Sequence, residues 1–319
     1  MELVATPDNP IPPGAEAFAI RARDGRRLRA AAFATTQAPR GTVTLLQGHN
    51  EFIEKYFETI VELTRRGFQV VTLDWRGQGA SDRELENPRK GHVEDFAHYQ
   101  RDLDALVSQV LEGRPGPWYA LAHSMGGAVA LETANSGRLP FQRLVLSTPM
   151  IDLYGLRFPR GARWLADTLD MFGLGAMFVP FGDEKSFNEE PFPGNKLTSD
   201  AARFARNAAV LRAAPHLAIG DPTIGWVNAA FRQMKRFESP EFSRRARTPT
   251  LILAAQRDEI VSTPAIERFA QRLDLATLIV VPHARHEILM ERDSIRAEFW
   301  TAFDAFIPGR TVQEARAAE

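Results

Sequence analysis

The segment that decides the fold is WYALAHSMGGAVALETAN, which begins at Trp118 and ends at Asn135. Its first six residues predict a β-strand, and the run that starts at Met125 predicts a helix. Ser124 stands at the junction, where a serine between small residues can adopt a strained turn that lifts its hydroxyl clear of the sheet. The positions two before and two after the serine must be small. Gly126 meets this requirement, whereas Ala122 stands where glycine is usual. The alternative is that Ser124 is simply the N-cap of the helix.

Strands and helices alternate on both sides of this segment. A hairpin around Asp24-Gly25 is predicted first, because Asp-Gly favours tight two-residue turns. The further predicted strands are 43–47, 69–75, 143–147, 250–255 and 276–281, and the further helices are 53–66, 93–111, 263–273 (with Thr263 as N-cap) and a closing helix over 288–306. This alternation predicts an α/β fold with a mostly parallel central sheet flanked by helices.

The alternation is interrupted once. About a hundred residues, far more than in an ordinary connection, separate the strand at 143–147 from the strand at 250–255. We therefore divide the chain into an N-terminal part of the core (1–149), an inserted lid segment (150–247), a C-terminal part of the core (248–307) and a tail (308–319). The lid segment is rich in Phe, Trp and Met, which suits either an apolar cover or a small core of its own.

Composition excludes several classes of function. The chain has 319 residues, with 39 Lys and Arg against 40 Asp and Glu, and no cysteine. Disulfides, a cysteine nucleophile and cysteine-ligated metals are therefore ruled out, and the near-zero net charge argues against nucleic acid as a partner. The longest mostly apolar run, 171–181, is shorter than the roughly 18 residues of a spanning helix. We expect a soluble, cytoplasmic protein, with peripheral membrane contact and oligomeric state left open.

A serine nucleophile needs a base, and the base needs an acid that holds its tautomer. At the strand ends of such a fold the expected chain order is Ser, then Asp, then His. Asp258 follows the strand at 250–255, and His286 follows the strand at 276–281. Each has a rival, since Glu259 adjoins Asp258 and His283 lies three residues before His286. The pattern favours His286 without excluding His283.

The reaction also needs hydrogen-bond donors for the oxyanion. The first candidate is the backbone N–H of Met125, directly after the serine. The second is the N–H of His49, in the loop Gln47-Gly48-His49-Asn50 after the first parallel strand. A plain strand-exit turn would use Gly48 equally well.

No motif for a metal or a cofactor stands out. Gly77-Gln78-Gly79 lacks the third glycine of a dinucleotide-binding motif. His92, Asp95 and His98 are spaced like ligands on one helix face, but a solvated or hydrogen-bonded face is the preferred interpretation. The sequence predicts neither cofactor nor metal.

Three stretches carry a family resemblance: QGHNEFIEKY at 47–56, DWRGQGAS at 74–81 and ARHEIL at 284–289. With the segments around Ser124 and Asp258, they resemble the α/β-hydrolase superfamily, within it the serine hydrolases of the lysophospholipase and monoacylglycerol lipase branch. The similarity covers residues 15–307 or so. The chain departs from the family pattern at Gln47, where His is frequent, and at Ala122, which could crowd the turn and lower activity.

The resemblance implies a catalytic triad of Ser124, Asp258 and His286, and it favours His286 over His283. It implies backbone oxyanion donors at His49 and Met125, no cofactor, and a lid over the acyl site. The implied activity is hydrolysis of carboxylic esters of single-chain lipids, either lysophospholipids or monoacylglycerols. Two alternatives remain: a generic carboxylesterase of small apolar esters, or a non-catalytic binding protein on the same fold.

Overall fold

The fold is that of a computed structural model, which describes residues 1–137 and 141–308. The predicted tail, 308–319, lies outside the described residues from position 309 onward. The described strands form one sheet. They are β1 (Ala15–Arg21), β2 (Arg27–Phe33), β3 (Gly41–Leu46), β4 (Phe68–Leu73), β5 (Trp118–His123), β6 (Arg143–Ser147), β7 (Thr250–Ala255) and β8 (Ala276–Val281).

The sheet has the order β1-β2-β4-β3-β5-β6-β7-β8. β1 and β2 pair antiparallel across the predicted hairpin, whose Gly25 has a φ of +87°. β2 also pairs antiparallel with β4, and every pair from β4 to β8 is parallel. The predicted α/β fold with a mostly parallel sheet is confirmed.

The described α-helices are α1 (Phe57–Arg65), α2 (Ala97–Leu106), α3 (Met125–Asn135), α4 (Pro159–Leu169), α5 (Ala201–Ala213), α6 (Ile224–Phe237), α7 (Pro240–Arg245), α8 (Thr263–Ala270) and α9 (Asp293–Phe306). The 3-10 turn Ile53–Tyr56 leads directly into α1, and the π turn Val107–Leu111 directly continues α2. A further 3-10 turn, Ile288–Met290, precedes α9 without joining it.

Three helix starts differ from the sequence prediction. The helix predicted over 93–111 begins only at Ala97, whose N–H donates to Asp95 Oδ1 at 2.8 Å. The N-cap of α8 is Ser262, not Thr263: Ser262 has extended backbone angles, and its hydroxyl accepts the Ala265 N–H at 3.3 Å. Thr263 is already helical, and Pro264 fits the first turn because it needs no N–H acceptor there. The closing helix begins at Asp293, because extended backbone at Glu291 separates it from the 3-10 turn before it.

Both faces of the sheet are buried, which explains why its central strands are apolar without alternation. Along β5, Ala120 and Ala122 pack into the core cluster that includes α2 and α3. Tyr119 and Leu121, which point the other way, pack into the cluster that includes α1 and α9. The junction after β5 is therefore anchored by packing on both faces.

The chain between β6 and β7 is mainly helical, with α4 to α7. Trp226 and Phe231 of α6 belong to the main core cluster. Val210 and Leu211 of α5 form a separate small cluster with Phe52. The segment thus packs partly on the main core and partly in a small cluster of its own. A lid with the boundaries 150–247 stays a prediction.

Candidate active site

Ser124 occupies the sharp turn between β5 and α3. Its backbone angles are φ 49° and ψ −117°, a strained conformation for a residue with a side chain. The turn is held by its own N–H, which donates to Ser147 O at 3.1 Å, and by its carbonyl, which accepts the Met150 N–H at 3.0 Å. Ser124 therefore occupies the N-cap position of α3, but its hydroxyl is not used to cap the helix.

The turn needs Gly126 because backbone passes directly beside it. A Cβ at this position would lie 2.4 Å from Gln47 O and 2.6 Å from Leu46 O. These are atoms of β3 and its exit loop, which cannot move aside as a flexible side chain can. Gly126 is thus the point at which the turn after β5 touches the loop after β3.

We expect Gly126→Ala to destabilise the protein by more than about 3 kcal/mol, because the added methyl pushes two main-chain carbonyls apart. Gly161→Ala in α4 is the matched control, since a Cβ there would meet only Phe158 Cβ at 3.8 Å. That change should be neutral or stabilising by about 0.5–1 kcal/mol. Thermal unfolding of both variants checks the prediction, and equal melting temperatures would contradict it.

The structure brings Ser124, His286 and Asp258 together in one hydrogen-bonded chain. His286 Nε2 lies 3.0 Å from Ser124 Oγ, and His286 Nδ1 lies 2.8 Å from Asp258 Oδ2. The other carboxylate oxygen of Asp258 accepts the N–H groups of Ile260 at 2.8 Å and Val261 at 2.9 Å. All three side chains are buried.

Neither rival residue, His283 or Glu259, takes part in the hydrogen bonds that link Ser124, His286 and Asp258. His283 is exposed, and its backbone N–H donates to Gln256 Oε1 at 3.0 Å. The Glu259 side chain is 54% exposed and lies 3.9 Å from Lys196 Nζ. The preference for Asp258 and His286 in the sequence agrees with this geometry.

Charge around the imidazole sets its basicity. Burial would lower the pKa of His286, but the Asp258 carboxylate, helped by Glu287 and Glu51, raises it above its ordinary value. Burial likewise would raise the pKa of Asp258, yet its hydrogen bonds and the facing imidazole lower it. Asp258 is therefore ionised at neutral pH, and the imidazole of His286 is a stronger base than usual.

The loop after β3 presents a backbone N–H beside the serine. Gly48 N–H donates to the Glu51 carboxylate, and Asn50 N–H donates to Gln78 Oε1 at 3.1 Å. Within 1–137 and 141–308, neither the N–H of His49 nor that of Met125 has an acceptor. A Cβ on Gly48 would lie 3.2 Å from Ser124 Cβ, so this loop closely approaches the serine. Both predicted donors are thus free of acceptors in the described residues, and their role as oxyanion donors stays a prediction.

A cavity of about 190 Å³ opens onto Ser124 and His286. Its apolar wall combines core and lid residues: Met150, Leu153, Phe187, Leu197, Trp226, Val227, Ile260 and Val261. A second cavity of about 240 Å³ shares Phe187, Leu197 and Ile260 with it and continues toward Pro191 and Pro193. The candidate catalytic groups therefore lie at the polar end of the first cavity, and the second cavity borders its apolar wall.

The sequence analysis missed several residues that contact the site. Thr148, at a φ of +45°, donates its hydroxyl to His286 O at 2.8 Å. Glu51, Lys55 and Glu287 form a buried chain of ion pairs beside it. These three residues lie in the family stretches 47–56 and 284–289, but the sequence analysis assigned them no role. The i, i+4 spacing of Glu51 and Lys55 is common on helices and does not single them out.

The candidate metal spacing has another explanation. His92 Nδ1 lies 2.7 Å from Thr223 Oγ1. His92 precedes α2 and therefore does not share a helix face with His98. In the described part of the chain no group of three His, Cys, Asp or Glu residues could hold a metal ion.

A family model described as serine aminopeptidase, S33 matches residues 37–293. The chain belongs to this family. Lysophospholipase L2 of Escherichia coli K12 is 31% identical over 266 residues, which cover 80% of this chain and 76% of that protein. The probable lysophospholipase L2 of Haemophilus influenzae is 27% identical and covers 85% of this chain and 84% of that protein.

Solved structures agree on the fold. A soluble variant of monoglyceride lipase from Saccharomyces cerevisiae, crystallised with a substrate analogue, has a TM-score of 0.74. It is 21% identical and covers 92% of this chain and 96% of that one. The resemblance drawn from the sequence is confirmed: the chain is an α/β-hydrolase of the lysophospholipase and monoglyceride lipase type, and a carboxylic ester hydrolase.

Proposed function

We propose that the chain hydrolyses carboxylic esters of single-chain lipids, lysophospholipids or monoacylglycerols, with Ser124 as nucleophile. The observation that carries the proposal is the Ser124–His286–Asp258 hydrogen-bond chain at the end of an apolar cavity. A non-catalytic binding protein would have no need for a strained serine that faces a basic imidazole.

In the first half-reaction Ser124 Oγ attacks the ester carbonyl while His286 Nε2 takes its proton. Asp258 accepts the Nδ1–H and stabilises the imidazolium that forms. The N–H groups of His49 and Met125 bind the negative oxygen of the tetrahedral intermediate. His286 then gives the proton to the departing alkoxide, and the alcohol leaves an acyl-enzyme on Ser124.

In the second half-reaction water replaces the alcohol. His286 Nε2 removes a proton from the water, whose oxygen attacks the acyl carbonyl. The tetrahedral intermediate collapses, Ser124 Oγ recovers the proton from His286, and the fatty acid leaves. Atoms and charge balance with water as the only second substrate.

The choice of a lipid substrate has two supports. The relatives that match most of the chain are named lysophospholipase L2. The first cavity has a mostly apolar wall, and Phe187, Leu197 and Ile260 separate it from a second cavity into which a longer acyl chain could extend. A generic carboxylesterase is the second candidate, because the first cavity alone is smaller than the roughly 300–1,000 Å³ of most ligand sites.

The experiment that tests the proposal compares fatty-acid release from lysophosphatidylcholine and from a monoacylglycerol with the same acyl chain. A p-nitrophenyl ester series from four to sixteen carbons, measured beside them, separates lipid esters from small esters. Ser124→Ala serves as the blank. Preference for either long-chain lipid supports the proposal. Cleavage of short esters alone identifies a carboxylesterase.

We further propose that the protein meets its substrate at a membrane surface through the lid segment. No helix in the described ranges is long and apolar enough to cross a membrane. On α4 and directly before and after it, however, Phe158, Trp164, Met171 and Phe172 are each about 70% exposed or more. Clustered apolar side chains at a surface are typical of membrane or partner contact.

We expect the double change Met171→Asp and Phe172→Asp to weaken vesicle binding about 10-fold or more, because two apolar anchors are lost and two charges enter the interface. Sedimentation with phosphatidylcholine–phosphatidylglycerol vesicles measures it. Hydrolysis of a soluble short ester should not change. Leu275→Asp is the matched control, since Leu275 is 47% exposed but precedes β8, at the opposite edge of the sheet from Ser124. Equal binding by both variants would contradict the proposal.

A further inference from the structure

The carboxylate of Glu51 is buried and contacts several elements of the site at once. One oxygen accepts the N–H of Gly48 and the hydroxyl of Tyr56, the latter at 2.7 Å. The other oxygen lies 2.8 Å from Lys55 Nζ and 3.8 Å from Nε2 of His123, which precedes the serine. A single side chain therefore joins the oxyanion loop, the turn after it and the strand that carries Ser124.

The chain of charges continues to the histidine loop. Lys55 Nζ also lies 2.6 Å from Oε1 of Glu287, which directly follows His286. The exposed fractions of these three side chains are 6% or less. Burial of charge is costly, so such a chain adds little net stability compared with apolar packing. Its position between the two loops that supply the oxyanion donor and the base points to another role.

The geometry of the oxyanion loop suggests that role. Gly48 N–H is tied to Glu51, and Asn50 N–H is tied to Gln78 Oε1. The N–H of His49 lies between these two fixed amides and has no acceptor of its own among the described residues. Oxyanion donors act only when they are aimed before the reaction, and a misplacement of about 1 Å can cost about 100-fold in rate.

We propose that Glu51 is a positioning residue, which aims the His49 N–H through Gly48 and holds the loop of His286 in register through Lys55 and Glu287. This inference rests on the proposed function, because it needs an oxyanion to form on an ester bound at Ser124. It assigns no chemical step to Glu51, which touches none of the reacting atoms.

The test is Glu51→Ala beside Glu51→Gln, with kinetics on a soluble p-nitrophenyl ester. Glu51→Ala should lower kcat about 10- to 100-fold, while KM stays within about twofold, because the loss concerns the transition state. Affinity for a trifluoromethyl ketone, whose adduct with serine carries the oxyanion, should fall by a similar factor. Glu51→Gln keeps a carbonyl that can accept the Gly48 N–H, so its kcat should fall only about 3- to 10-fold.

Asp102→Ala is the matched control. Asp102 is equally buried and is ion-paired with Arg76 at 2.6 Å, but it lies on α2 and contacts neither loop. It should lower the melting temperature about as much as Glu51→Ala does and leave kcat unchanged. Wild-type kcat in Glu51→Ala, or the same loss of kcat in both variants, would overturn the inference.

A second pair of variants and a wild-type control assay keep the role of Glu51 testable. If Glu51→Ala does not fold, Glu51→Gln is compared with Asp102→Asn, and a wild-type kcat in Glu51→Gln overturns the inference. Wild-type hydrolysis and its loss in Ser124→Ala are measured in the same assay. If the wild type cleaves no ester, the proposed function itself has failed. If it does, only the role of Glu51 is under test.

Discussion

Ser124→Ala is expected to lower kcat for ester hydrolysis by about 10⁴- to 10⁶-fold, because no other side chain can form the acyl-enzyme. The hydroxyl that is removed makes one side-chain contact, with His286 Nε2 at 3.0 Å. The backbone bonds that hold the turn, to Ser147 and Met150, involve main-chain atoms and remain. Stability should therefore change by no more than about 1 kcal/mol.

The measurement combines initial rates on a p-nitrophenyl ester with labelling by a fluorophosphonate. The wild type should be labelled once, at Ser124, and the variant not at all. Ser243→Ala is the matched control, since Ser243 is a buried serine of α7 whose hydroxyl has no hydrogen-bond partner among the described residues. It should keep both activity and labelling. Full activity in Ser124→Ala would exclude the mechanism, and labelling at another serine would relocate the site.

Much of the fold could be predicted because the hydrophobic pattern of each segment agrees with its position in the folded protein. β5, β6, β7, β8 and α3 have the predicted bounds, since each is a short apolar run or a helix ended by turn residues. The closing helix was predicted too long, because the 3-10 turn at Ile288–Met290 carries the same apolar pattern as α9. Hydrophobic periodicity does not report the extended backbone at Glu291 that separates them.

In the site, only the residues that follow strand ends in the expected order could be predicted from the sequence. Ser124, Asp258 and His286 follow strand ends, so topology alone places them at one edge of the sheet. The Glu51–Lys55–Glu287 chain depends on a contact between residues 232 positions apart, which no local pattern encodes. Most of the apolar residues that line the cavity come from the lid segment, whose path was not predictable. The sequence therefore indicated which groups react, but not what holds them or what the substrate touches.

Asp258→Asn is expected to lower kcat about 10⁴-fold while the fold remains intact. The reason is that the two oxygens of the Asp258 carboxylate have different partners. Asp258 Oδ1 accepts the N–H groups of Ile260 and Val261, and an asparagine carbonyl can keep both bonds. The NH₂ group would then face His286 Nδ1, which must accept instead of donate. The proton moves to Nε2, and the imidazole can no longer take the proton of Ser124.

The pH dependence of kcat/KM tests the same argument independently. Only neutral His286 acts as the base, so activity is lost as pH falls through its pKa. In the wild type the Asp258 carboxylate raises that pKa, so the acid limb should lie above the ordinary value of about 6.5. Without the negative charge the residual activity should show an acid limb at lower pH. Glu259→Gln, which changes the exposed neighbouring carboxylate, should move neither kcat nor the limb by a measurable amount, because water screens its charge. A shift of the limb in Glu259→Gln but not in Asp258→Asn would mean that the acid of the triad had been misassigned.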